Sequence, residues 1–138
     1  MRLLAIILLF LAVSCTCSNR SDSLFTYTSS LGIDSEQANV LVISDKYCSP
    51  CYMSLLEKIL ELQCENFTLV LNSVSPSDQL SKQLDRMSAV GIRVISDKKL
   101  VGEKSGFILA NPILVKVRDN NIQEIQYIDN ESVSHFSC

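Results

Sequence analysis

From residue 38 onward the apolar positions change period several times, and each period predicts an element. Val40-Leu41-Val42-Ile43 is a continuous apolar run closed by Ser44-Asp45-Lys46, the pattern of a short strand buried on both faces in a parallel sheet. Tyr52, Leu55, Leu56, Ile59 and Leu60 then recur at i, i+3, i+4, i+7 and i+8, with Ser54, Glu57, Lys58 and Glu61 on the other side. This spacing predicts a helix with one buried stripe. Phe67-Thr68-Leu69-Val70-Leu71 predicts a second strand, so the unit is βαβ and its strands should run parallel.

A second helix is expected over Ser75–Val90, with Ser75 as N-cap, Pro76 in the first helical position, Asp78 as a capping-box acid and Gly91 as the stop. Leu80, Leu84 and Met87 give it a buried stripe. Ile92–Ile95 fits a short strand, and the polar run DKKLVGEKSGF at 97–107 fits a loop with a helical turn. Pro112–Arg118 and Ile122–Ile128 are apolar-rich runs on either side of Asp119-Asn120-Asn121, which predicts an antiparallel hairpin. No internal repeat organises the chain.

The first residues read differently. Met1-Arg2 precedes an apolar run from Leu3 to Val13, too short for the roughly 20 residues that span a bilayer, and it reads as a signal peptide covering residues 1–14. Ala12-Val13-Ser14 suits ordinary cleavage, which would leave a secreted protein. The string LAVSC resembles a bacterial lipobox except that Ala12 stands where leucine is usual, and it makes Cys15 the expected lipidation site. Either outcome places the domain outside the cytoplasm, on the periplasmic side if it is anchored to a bacterial membrane. The small, polar run CTCSNRSD that starts at Cys15 reads as a flexible tether. Residues 15–37 are therefore expected to form the lipid-anchor tether and an N-terminal segment, and residues 38–138 one domain.

Charge removes one class of function. The chain of 138 residues has 12 basic and 15 acidic side chains, a net of −3, and loses one further positive charge if the leader with Arg2 is removed. No clustered basic excess is present, so no nucleic-acid partner is expected.

Cys48 and Cys51 form a Cys-x-x-Cys at the junction of the first strand and the first helix. Spacing alone leaves three readings open: a redox centre, half of a metal site, or two incidental cysteines. Position adds chemistry. Cys48 falls at the edge of the helix, where unpaired backbone N–H groups and the macrodipole favour a thiolate, and Cys51 lies one turn deeper. Pro50 is tolerated in a first turn, and Ser49 can supply a capping oxygen. The expected roles are attack by Cys48 on a substrate disulfide, or by a substrate thiol on Cys48, with Cys51 resolving the mixed disulfide. Cys17 reads as incidental, Cys64 as a small buried hydrophobe, and His135 as a surface residue. A zinc set of Cys48, Cys51 and Cys64 with His135 or Cys138 matches no compact ligand spacing, so no metal or other cofactor is expected.

The order of strand, CSPC helix, strand, helix, connector and hairpin resembles the thioredoxin superfamily, and within it the extracytoplasmic TlpA/ResA-like, redoxin-like thiol–disulfide oxidoreductases. Three features over roughly residues 38–130 carry the resemblance: CSPC directly after the first core strand, Asn111-Pro112 opening the hairpin, and a connector of about forty residues before that proline. The resemblance implies an α/β, three-layer sandwich with a central mixed sheet, a parallel βαβ half and a C-terminal antiparallel hairpin. It implies a cis Asn111–Pro112 bond packed on the CSPC sulfurs, with Tyr47 as an aromatic neighbour. It also implies client proteins bearing thiols or disulfides, and a membrane redox partner that regenerates the pair.

The sequence departs from the family in places. Tyr47 stands where tryptophan is usual. Val42 stands where thioredoxin places a buried acid, which leaves Asp45 with only a weak claim to that role. The peroxiredoxin signature Pro-x-x-x-Thr-x-x-Cys has no counterpart at Cys48, which argues against a peroxidase. After Ile128 only DNESVSHFSC remains, where the family adds a full helix; an apolar face left partly bare would favour a partner or a homodimer. The rival to the oxidoreductase is a thioredoxin-like binding module in which CSPC is a structural disulfide.

Overall fold

The computed structural model describes residues 19–33, 37–46, 49–105 and 111–138, with the backbone alone for 19–22, 37, 49, 51 and 130. In chain order the elements are α1 (Asn19–Ser30), β1 (Gln37–Ser44), α2 (Ser49–Leu62), β2 (Phe67–Asn72), α3 (Asp78–Ala89), β3 (Arg93–Ser96), α4 (Val101–Lys104), β4 (Ile113–Arg118), β5 (Asn121–Tyr127) and α5 (Asn130–Ser134).

One mixed sheet joins the strands in the order β3-β2-β1-β4-β5. β1, β2 and β3 are parallel, with Leu41 opposite Leu69 and Leu69 opposite Val94. β4 runs antiparallel to β1, and β5 to β4. The unbroken apolar run of β1 follows from its central place: Val40, Leu41, Val42 and Ile43 are all buried, and alternate residues feed opposite faces.

Each face has its own core. On one, Leu41, Ile43, Leu69 and Leu71 meet the α2 stripe of Tyr52, Leu55, Leu56 and Ile59, the α3 stripe of Leu80, Leu84 and Met87, and Phe136 beyond α5. On the other, Val40, Val42, Val70 and Val115 meet Leu24 and Tyr27 of α1, with Val101 of α4 packed alongside. Two helical layers on a mixed sheet make the three-layer, thioredoxin-like α/β sandwich that the chain order implies. α2 and α3 share a face because each joins strands placed successively in the same direction across the sheet, and right-handed crossovers then fall on one side.

Three details depart from the sequence reading. The run taken as a tether contains the start of α1, since residues 19–22 are helical and the same helix buries Leu24 and Tyr27. The N-terminal segment thus packs on the domain. α3 begins at Asp78, and Ser77 rather than Ser75 is its N-cap: its hydroxyl accepts from the Leu80 N–H at 3.2 Å. Ser75 precedes Pro76, which disfavours helical geometry there. The hairpin turn is the pair Asp119-Asn120, with φ of 51° and 58°, between the paired Arg118 and Asn121. This matches a two-residue turn with both central residues left-handed, a conformation that Asp and Asn tolerate.

Candidate functional site

The parallel strands all end at one edge of the sheet, and that edge carries the candidate site. In open α/β sheets this carboxyl edge is where the loops between strands and helices converge. α2 starts at Ser49, one residue after Cys48 in the chain. Pro50 is exposed in its first turn. Tyr47 and Cys48 lie outside the described residues, as do the side chains of Ser49 and Cys51, and so does Cys15.

Register places the second predicted feature at the same edge. Val42 pairs with Ile113 in an antiparallel ladder, so Pro112 lies beside the end of β1, the strand that leads to the CSPC segment. Pro112 is half-buried and Asn111 exposed. No cis peptide bond occurs among the described residues, so the cis Asn111–Pro112 bond expected from the resemblance is not found. The Ile128 N–H donates to the Pro112 carbonyl at 2.8 Å, which continues the β4–β5 pairing through the proline. Trans is the default for an X–Pro bond by about 0.5–1 kcal/mol.

A carboxylate that the sequence reading leaves in a polar loop organises this edge. Asp97, after β3, is 3% exposed. It accepts from the Tyr27 hydroxyl at 2.9 Å, Asn72 Nδ2 at 3.0 Å, the Val101 N–H at 3.1 Å and the Gly102 N–H at 3.0 Å. Burial by itself would raise its pKa, but the Gly102 and Val101 amides, Tyr27 and Asn72 together hold it below the usual carboxylate value. Burial, and then Asp97, push the Tyr27 phenol up. The amides that Asp97 satisfies belong to the first turn of α4, so it seats that helix. Gly102 has no room for a side chain, because a Cβ there would lie 2.8 Å from the Tyr27 ring. VISDK occurs at 42–46 and again at 94–98, but Asp45 is only half-buried, so the shared string gives no sign of the buried role of Asp97.

The two residues that follow β1 are both held. The Ser73 hydroxyl, just beyond β2, donates to Asp45. Lys46 Nζ donates to both carboxylate oxygens of Glu103 on α4, at 2.7 and 2.8 Å. Val42 is fully buried in the α1-facing core, so that position supplies no acid.

At the far end of α2, Cys64 is half-buried and bonded to Cys138, with Cα atoms 5.7 Å apart. This corrects the reading of Cys64 as a plain buried hydrophobe. It also takes both residues out of any zinc set, since a disulfide offers no thiolate. His135 is exposed at the end of α5. An open groove of about 660 Å³ lies at the opposite edge of the sheet, lined in part by Ala38, Gln63, Cys64, Phe67 and Arg93. It is remote from the CSPC end, and Arg93 is engaged there with the Gly32 carbonyl.

No protein-family model and no curated protein matches the sequence. Among solved structures, the chain is similar to StoA from Bacillus subtilis, at 15% identity and a TM-score of 0.45, over 72% of this chain and 81% of that one. A similarity of that size carries no argument about function. The thioredoxin-like fold stands on the strand order, the parallel βαβ half and the terminal hairpin.

Proposed function

We propose that the protein is a thiol–disulfide oxidoreductase that acts on extracytoplasmic client proteins through Cys48 and Cys51. The observation that supports this most is the start of α2 immediately after Cys48, at the carboxyl edge of the central strand. A cysteine in that place meets unpaired helix N–H groups and the positive end of the macrodipole, which favour the thiolate needed for exchange. Pro112 stands beside the same strand end. In the proposed cycle the Cys48 thiolate attacks a client disulfide and releases one client thiol. Cys51 then attacks the mixed disulfide, which frees the second client thiol and leaves the Cys48–Cys51 bond for a membrane redox partner to reduce. The reverse sequence oxidises the client.

Trapping tests this directly. Cys51→Ala should accumulate mixed disulfides with client proteins, because Cys48 can attack and nothing resolves the product, while Cys48→Ala should trap almost none. The wild type should also catalyse insulin reduction by a dithiol. No trapped client from either variant, together with no turnover of insulin, would leave a thioredoxin-like binding module as the better account.

The location belongs to the same proposal. A disulfide such as Cys64–Cys138 persists in oxidising compartments, which fits export directed by residues 1–14. Among the described residues no helix is long and apolar enough to cross a membrane, and the proposed attachment is a lipid on Cys15. The wild type should therefore partition into detergent and Cys15→Ser into the aqueous phase. Recovery of both in the aqueous phase would favour plain secretion.

A further inference from the structure

The Cys64–Cys138 bond lies within reach of solvent and is not sealed in the core. Cys138 is exposed, and Cys64 is half-buried at the rim of the open groove. Exposed disulfides are the labile ones, because exchange needs a thiolate to approach a sulfur. What this bond closes is a single cover. The Ile128 N–H is fixed to the Pro112 carbonyl, so the chain leaves the sheet at Asp129, runs through α5 against α2 and reaches Cys64 just past the end of α2. Between those two fixed points it sets Phe136, 7% exposed, against Phe67 in the α2-side core. The hydrogen bonds of Asp129, Ser132 and Ser134 all stay inside the segment. Apolar contact and the disulfide are therefore what hold it down.

We infer that Cys64–Cys138 is a redox-sensitive latch on residues 129–138: reduction lets the segment leave α2 and bares Phe67 and Phe136, and oxidation closes it again. The reductant is a small thiol of the glutathione class. Its thiolate attacks Sγ of the exposed Cys138, the Cys64–Cys138 bond breaks, and Cys64 departs as a thiolate that takes up a proton. A second glutathione thiolate attacks the glutathione sulfur of the mixed disulfide, which yields glutathione disulfide and frees Cys138. Two thiols are oxidised and one disulfide is reduced. Neither Cys48 nor Cys51 takes part. The latch is closed under the oxidising conditions that fit export, and an excess of thiol opens it.

The test uses the full chain with Cys48→Ser and Cys51→Ser, incubated in native buffer with reduced glutathione, quenched with iodoacetamide and peptide-mapped by mass spectrometry. Reduction should proceed in the folded protein, through an adduct on Cys138, at a rate that low urea leaves unchanged. A route through global unfolding would instead quicken about fivefold or more for each molar urea added. Once both thiols are free, hydrogen exchange should show loss of protection over residues 129–138 and none in β1, β2 and β4. Glutathione disulfide should restore it. Cys138→Ser in the same background should show the open segment without any reductant, and glutathione should change nothing further. No reduction in native buffer, reduction only by the urea-sensitive route, a reduced segment that stays protected, or loss of protection throughout the sheet would each overturn the latch and leave a static staple.

Discussion

Asp97→Ala is expected to lower the unfolding free energy by about 3 kcal/mol, because it leaves several buried neutral donors without their acceptor. The carboxylate is shielded from water and serves four donors from three parts of the chain. Alanine would orphan all four. An unsatisfied buried group costs about 1–3 kcal/mol, and partial relaxation of α4 toward solvent keeps the total below the simple sum. The change should appear as a lower urea midpoint with a largely unchanged slope. A midpoint shift worth less than about 1 kcal/mol would mean that the cluster is not the anchor described above.

The same carboxylate makes a prediction about acid. Its pKa is lowered in the folded protein, so the stability it contributes is complete above the ordinary carboxylate range. That contribution is lost as pH falls through the lowered folded value. Asp97→Asn should therefore show a flatter loss of stability on acidification than the wild type. Tyr27 acts at the other extreme: its raised pKa keeps its contribution complete below the ordinary tyrosine range and lets it fall away above that range.

Cys64→Ser with Cys138→Ser is expected to cost about 2–5 kcal/mol. The bond joins residues 74 apart in sequence, a loop for which chain entropy alone accounts for about 4 kcal/mol. The other ties on the last ten residues are weaker. Phe136 packs edge-on against Phe67 at 6.4 Å, worth about 0.5–1.5 kcal/mol beyond its burial. Asp129 caps α5 through the Ser132 N–H at 2.7 Å, a contact exposed to water. The disulfide is thus the main fastening of this segment to the end of α2. In the double variant, residues 130–138 should be the first to lose hydrogen-exchange protection, and the thermal midpoint should fall by about 10 °C or more. A serine variant is the right probe because a reductant would also act on the proposed Cys48–Cys51 pair. An unchanged midpoint would show that burial of Phe136 and Ile128 suffices to hold the segment.

Several parts of the molecule were legible in the sequence because short-range rules govern them. The continuous run Val40–Ile43 marked the central strand, since only a strand covered on both faces has no polar alternate. The 3.6-residue spacing from Tyr52 to Leu60 gave α2 and its buried face, and the trio Asp119-Asn120-Asn121 marked the hairpin, although its last member pairs in β5 and only Asp119-Asn120 form the turn. The position of CSPC between a strand and a helix is likewise read from the chain alone.

Tertiary structure decided the rest. Asp97 lies in a stretch as polar as any surface loop, and only the convergence of Tyr27, Asn72 and α4 makes it a buried anchor. Cysteine spacing does not determine connectivity, so the Cys64–Cys138 bond could not be read from the chain. Nor could the helical start of α1 at residue 19, in a run whose composition suits a tether. Periodicity, caps and turns act over a few residues, and the sequence displays them. The contacts that shape the candidate site span 25, 57 and 70 residues, and the disulfide spans 74; such pairs depend on chain closure, which is settled by the packing of the whole sheet and its helices.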